Sequence, residues 1–104
     1  MPDLLTGSIT AKTPDSASVG IASGTVLPFR YVRAGCTMIN LSANNISLGF
    51  EGTAAILNKG ITLTPNGGTW FMDDYTYTKG EITAIAAGAT SILTIQEYIN
   101  GPEE

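Results

Sequence analysis

The sequence predicts a single all-β domain, a small β-sandwich or barrel of about eight short antiparallel strands. Three observations predict it. Apolar residues recur at period two in short runs, as Ile46, Leu48 and Phe50 do around Ser47 and Gly49, the spacing that turns one face of a strand inward. Turn-forming residues cut the runs at regular intervals: Asn44-Asn45, Gly60, Pro65-Asn66-Gly67-Gly68, Lys79-Gly80 and Ala87-Gly88. Only Thr53 to Asn58 leans towards helix, and Ala54-Ala55-Ile56-Leu57 has room for a turn or so before Gly60 ends it.

Along the chain, residues 1–17 read either as a frayed terminus, the default for a domain, or as an extended N-terminal arm. Pro2 and Pro14 fix backbone dihedrals and remove donors, while Leu4, Leu5 and Ile9 are apolar side chains that need a neighbour's pockets. Seventeen extended residues span roughly 55 Å. Residues 18–100 form the sandwich. Val19 and Ile21 alternate with small residues, Gly24 marks a turn or bulge, and Thr25-Val26-Leu27 runs up to Pro28. Phe29 and Tyr31 then share one face of an extended segment, with Arg30 and Val32 on the other.

Cys36 to Leu41 is a strand with Ile39 and Leu41 opposed to Met38 and Asn40, and Asn44-Asn45 reads as a hairpin turn into the Ile46–Phe50 strand. Ile61 and Leu63 alternate with Thr62 and Thr64. Trp70 and Met72 oppose Thr69 and Phe71, Asp73-Asp74 makes a polar corner, and Tyr75 and Tyr77 share a strand face. Ile82 and Ala84 open another strand, and Ser91 to Ile99 is a long closing one. Residues 101–104 are a solvated acidic tail.

The totals bound the function. A chain of 104 residues makes one domain with a thin core. Charged residues are 13% against 43% hydrophobic, about half the usual charged share. So sparse a charged coat favours a chain that shelters apolar surface against copies or partners. A net charge of −4, with Lys12, Arg30, Arg33, Lys59 and Lys79 scattered, argues against nucleic acid. No apolar run approaches a bilayer span, and MPDLLTGSIT has neither the basic region nor the apolar core of a signal peptide. The single Cys36 has no partner for an internal disulfide, consistent with a chain made and kept in a reducing cytosol.

The chemistry-bearing residues are few. With no histidine in the chain, Cys36 lacks the base that activates a nucleophile and reads as a small buried hydrophobe. Asp73-Asp74, with Glu51 or Glu81, lacks the close carboxylate spacing of a calcium loop, and as a glycosidase pair its neighbours point apart. Gly67-Gly68 has no following Lys-Thr and makes a turn, not a phosphate cradle. No cofactor, metal or small-molecule substrate is expected, and binding or building is favoured over catalysis. Trp70, Phe71, Tyr75 and Tyr77 form the densest aromatic stretch. Trp70 and Phe71 face opposite ways in a regular strand, so one of them leaves the core as a subunit-contact residue. The alternative is a sugar-stacking platform.

The layout Asn40-Leu41, an Asn-rich turn, Ile46-Ser-Leu-Gly49-Phe50, then Gly60-Ile-Thr-Leu63-Thr-Pro65-Asn-Gly67-Gly68 resembles small tailed-phage virion proteins of the capsid decoration or cement type. Tyr75-Thr-Tyr77 and Ile92 to Glu97 stand where that layout has its aromatic and final strands. The resemblance covers roughly residues 30–98, and Asn66-Gly67-Gly68 is one residue longer than the usual turn. It implies a jelly-roll-like sandwich on the exterior of a virion. It further implies a homotrimer bound to the major capsid protein, for which the arm side chains Leu4, Leu5 and Ile9 are the expected anchors. The alternative role is a carbohydrate-binding or host-recognition module of a phage tail or fibre.

Overall fold

The computed structural model describes residues 9–73 and 75–102. Among these there is no helix, and the strands are β1 (Ile9–Ala11), β2 (Asp15–Val19), β3 (Gly24–Leu27), β4 (Arg33–Asn40), β5 (Ile46–Phe50), β6 (Thr62–Leu63), β7 (Thr69–Phe71), β8 (Ile82–Ala86) and β9 (Ser91–Asn100). They form two antiparallel sheets. In one, β9 lies between β4, which carries β7 at its far side, and an edge made by β1 and β2 in succession. In the other the order is β3-β8-β5-β6. Every connection from β2 onward crosses between sheets except β5 to β6. Orders β2-β9-β4-β7 and β3-β8-β5-β6 with that connectivity are the two Greek keys of a jelly roll.

The period-two pattern builds the core. Cys36, Met38 and Asn40 on β4 and Leu93, Ile95, Glu97 and Ile99 on β9 point inward, meeting Ile46, Leu48, Leu63, Ile82 and Trp70 from around the sandwich. Burying each large apolar side chain contributes about 1.5–3 kcal/mol. The edge strands are short: β7 has three residues, and β3 carries a register shift between Thr25 and Leu27. Such edges offer little template for uncontrolled pairing.

Several sequence-based expectations change here. Asn44-Asn45 is not a hairpin turn, because β4 and β5 lie in different sheets and the turn carries the chain across the sandwich. Left-handed backbone occurs instead at Asn58, Asn66, Glu51 and Thr90. Residues 53–58 make no helix; they lie over the outer face of the β8 sheet. There Thr83 Oγ1 donates to the Thr53 carbonyl at 2.8 Å, Ser23 Oγ accepts from Ala55 N at 2.9 Å, and Ser47 Oγ accepts from Asn58 N at 2.8 Å. Gly49 permits this close cover, since a Cβ there would sit 2.5 Å from the Thr53 carbonyl oxygen. Phe29–Val32 and Tyr75–Tyr77 are loops rather than strands. Of the expected arm, residues 9–11 and 15–17 pair with β9 as β1 and part of β2; Leu4 and Leu5 lie outside the described residues.

Polar hubs fix both ends of β4. Asn40, fully buried, donates through Nδ2 to the carbonyls of Asn44 at 2.7 Å and Leu63 at 3.0 Å, and its Oδ1 accepts from Ser42 N at 2.8 Å. At the other end Arg33, 0% exposed, lies against Glu97, 4% exposed. Arg33 Nε donates to Glu97 Oε2 at 2.8 Å, while Nη1 donates to Gly80 O at 2.8 Å and Nη2 to Pro28 O. Both hubs satisfy carbonyls of crossing loops, so they set where those loops sit.

Candidate docking surfaces

Antiparallel register fixes which side chains share the outer face of the β9 sheet, because directly paired residues point the same way. The rows are Ser18–Ile92, Ser16–Thr94–Ile39–Thr69, Gln96–Thr37–Phe71, Ala11–Tyr98–Gly35 and Ile9–Asn100, with Leu41 beside Ile92 through its N–H to the Ile92 carbonyl. None of these residues is charged. Ile9, Leu41 and Phe71 are exposed on this face, and no described segment covers it. The other sheet differs, since residues 51–60 shelter its outer side. Four strands at about 4.8 Å spacing and a ten-residue β9 give a face on the order of 600 Å². That approaches the ~800 Å² per partner of a stable interface.

A second surface lies at the Arg33 end, where the loops 28–32 and 72–81 meet. Arg30 N donates to the Lys79 carbonyl at 2.9 Å, and the Lys79 ammonium stands 4.6 Å above the Tyr31 ring. Arg30 Nε reaches the same Glu97 oxygen as Arg33, at 2.8 Å. In a regular strand the odd spacing of Arg30 and Arg33 would point them apart; the loop over residues 28–32 brings them together on Glu97. The signal available in the sequence was Glu97 itself, an acid on the apolar parity of a strand, which needs a buried cation opposite.

The aromatic stretch divides between these surfaces. Trp70 is 7% exposed and packs on Phe50, ring centroids 5.2 Å apart, whereas Phe71 is 66% exposed on the β9-sheet face. Of that pair, Phe71 is the side chain that leaves the core. Tyr75, 98% exposed, and Tyr77 belong to the end loop, where Tyr77 Oη donates to the Arg33 carbonyl. With Phe50, Glu51, Ile61, Thr76 and Thr78 they line a cleft of about 330 Å³. A wider cleft of about 400 Å³ opens along the β2/β3 edge, walled by residues 12–16 and Val26–Pro28, with Arg30 and Glu97 in its lining. Ile9 stands at the rim of the uncharged face, far along β9 from Phe71.

Electrostatics bear on the one buried thiol. Burial pushes the Cys36 thiol up to about 11, with Arg33 opposing the shift and Glu97 adding to it, so the group is a protonated thiol at neutral pH and a poor nucleophile. Among the described residues, no three His, Cys, Asp or Glu side chains gather as a metal site would require. Comparison with family models, with curated proteins and with solved structures returns no match.

Proposed function

We propose that this chain is a structural virion subunit, a capsid decoration or cement protein that binds the outside of a tailed phage's major capsid protein and stabilises the head. The observation that carries the reading is the outer face of the β9 sheet, which among the described residues carries no charge and has no segment over it. A face without charges meets another surface with no ion to desolvate, and its threonine and serine hydroxyls and apolar side chains accept close packing. A jelly roll with one sheet sealed by its own chain and the other left open has one side on which to assemble. The resemblance to decoration proteins gives the partners: copies of the same chain, as a homotrimer, and the capsid exterior.

A clamp of this kind works through copy number. Each contact is modest, and many subunits on one shell act together. Residues 1–8, with Leu4 and Leu5, join the sandwich at Ile9, on the rim of the open face, and in this reading they and Ile9 anchor on the capsid. Removing residues 1–17 is too blunt a test, because it deletes β1 and half of the β2 pairing with β9. Removing residues 1–8 leaves every described strand in place. The experiment is co-sedimentation with expanded heads of the encoding phage that have been stripped of this protein. The full chain pellets with the heads, while the shortened chain folds with the same thermal midpoint and stays in the supernatant. A full-length chain that leaves heads undecorated at micromolar concentration overturns the proposal.

A further inference from the structure

The cleft between the end of β5 and the 75–78 loop is unused by that assembly role, and its chemistry is specific. Its lining joins aromatic rings (Phe50, Tyr75, Tyr77) to one carboxylate, Glu51, and contains no lysine or arginine. Two backbone devices aim the groups. Asp73 Oδ1 accepts from Tyr75 N at 2.9 Å and Thr76 N at 3.0 Å, a closed turn that holds up a Tyr75 side chain 98% exposed. Glu51 and Gly52, at φ 56° and 80°, form a tight turn closed by Thr53 N donating to Phe50 O at 3.1 Å. The first position of such a turn favours Asn, Asp or Gly. A glutamate held there is strained. Its stem is seated across Gly80, where a Cβ would come within 3.1 Å of Glu51 Cα and 3.2 Å of Cγ. Among the described residues the Glu51 carboxylate has no hydrogen-bond partner. Thr90, the other non-Asn residue with left-handed backbone, lines neither cleft.

We propose that this cleft binds a neutral sugar ring, stacked on Tyr75 through its C–H face, with its hydroxyls donating to the Glu51 carboxylate. Aromatic faces suit the apolar face of a pyranose, a carboxylate accepts from two vicinal hydroxyls, and a volume of about 330 Å³ lies at the small end of ligand pockets. Among the described lining residues a carboxylate without any cation selects against anionic ligands such as phosphates and sialylated sugars. The Glu51 turn sets the carboxylate beside the Tyr75 ring in the same cleft lining, and that juxtaposition is what carries the proposal.

The test is an amide NMR titration of the full chain with the methyl glycosides of glucose, galactose, mannose and N-acetylglucosamine, and with lactose and sialyllactose, at millimolar concentration. At least one neutral sugar shifts resonances of residues 50–52, 61 and 75–78, and lactose binds more tightly than sialyllactose. Tyr75→Ala weakens binding about tenfold with an unchanged melting temperature. Glu51→Gly also abolishes binding, yet it raises the melting temperature by a few degrees, because glycine relieves the left-handed backbone. No response at these residues to any neutral sugar overturns the proposal. So does sialyllactose binding as tightly as lactose, or either variant binding like the parent chain.

Discussion

Arg33 is the residue on which the Arg33 end of the sandwich turns. Its guanidinium is fully buried, neutralised by Glu97, and donates to carbonyls from two separate loops. A buried ion pair is a weak source of net stability, yet removing one member leaves the other charge and its carbonyls unsatisfied. Arg33→Met and Glu97→Met should therefore each cost about 3–5 kcal/mol. Arg30→Ala, which removes a partly solvated partner of the same carboxylate, should cost about 1 kcal/mol or less. The double variant Arg33→Met with Glu97→Met should lose clearly less than the sum of the two single losses, since the replacement is apolar on both sides. Urea denaturation of the four proteins measures this. Equal losses for Arg30→Ala and Arg33→Met would show that the buried donors to Gly80 and Pro28 do not matter.

At the scale of elements, the same logic explains what the sequence disclosed. The strands were legible because their inward positions are apolar at period two: Cys36 and Met38 on β4, and Leu93, Ile95 and Ile99 on β9, declare a face without reference to the rest of the fold. Connections were not legible. Asn44-Asn45 has the composition of a hairpin turn, and only the choice of partner sheet, set by long-range pairing of β4 with β9 and β5 with β8, makes it a crossover. Tyr75-Thr76-Tyr77 alternates as a strand would, but Asp73 captures the following N–H groups first and closes a turn. That turn has a pH signature. Hydrogen bonds from the backbone and hydroxyl of Thr76 and from the backbone of Tyr75 hold the Asp73 carboxyl below its ordinary 3.8. A depressed folded value means the contribution is complete above the unfolded value and disappears as pH falls through the folded one. In an acid titration followed by amide NMR, residues 73–76 should shift together in a step below pH 3.8 while β4 and β9 hold their positions. A step above 3.8 would contradict the hydrogen-bonded carboxylate.

For the whole molecule, the decisive property is where charge is missing. Arg33 and Glu97 are inside, Arg30, Lys79, Glu51 and Asp73 gather at one end, Glu81 reaches Thr25 on β3, and the outer face of the β9 sheet carries none. In a chain that is 13% charged, an uncharged sheet face opposite a sheet covered by its own residues 51–60 is the surface on which the proposed assembly would form. Introducing charge there should undo assembly without undoing the fold, because the substituted side chains already point outward. Phe71→Glu and Ile92→Lys sit at separate positions on the face, and each should change protomer stability by no more than about 0.5 kcal/mol. Light scattering on the parent chain should give a trimer whose melting temperature rises with protein concentration, as linkage to association requires. Either variant should scatter as a monomer with a concentration-independent midpoint, and should no longer pellet with heads. A parent chain that remains monomeric at all concentrations but still binds heads would assign the face to the capsid alone. Variants that stay trimeric would move the subunit contact elsewhere, and the Arg33 end, with Phe29 and Tyr31 exposed, is then the surface to charge next.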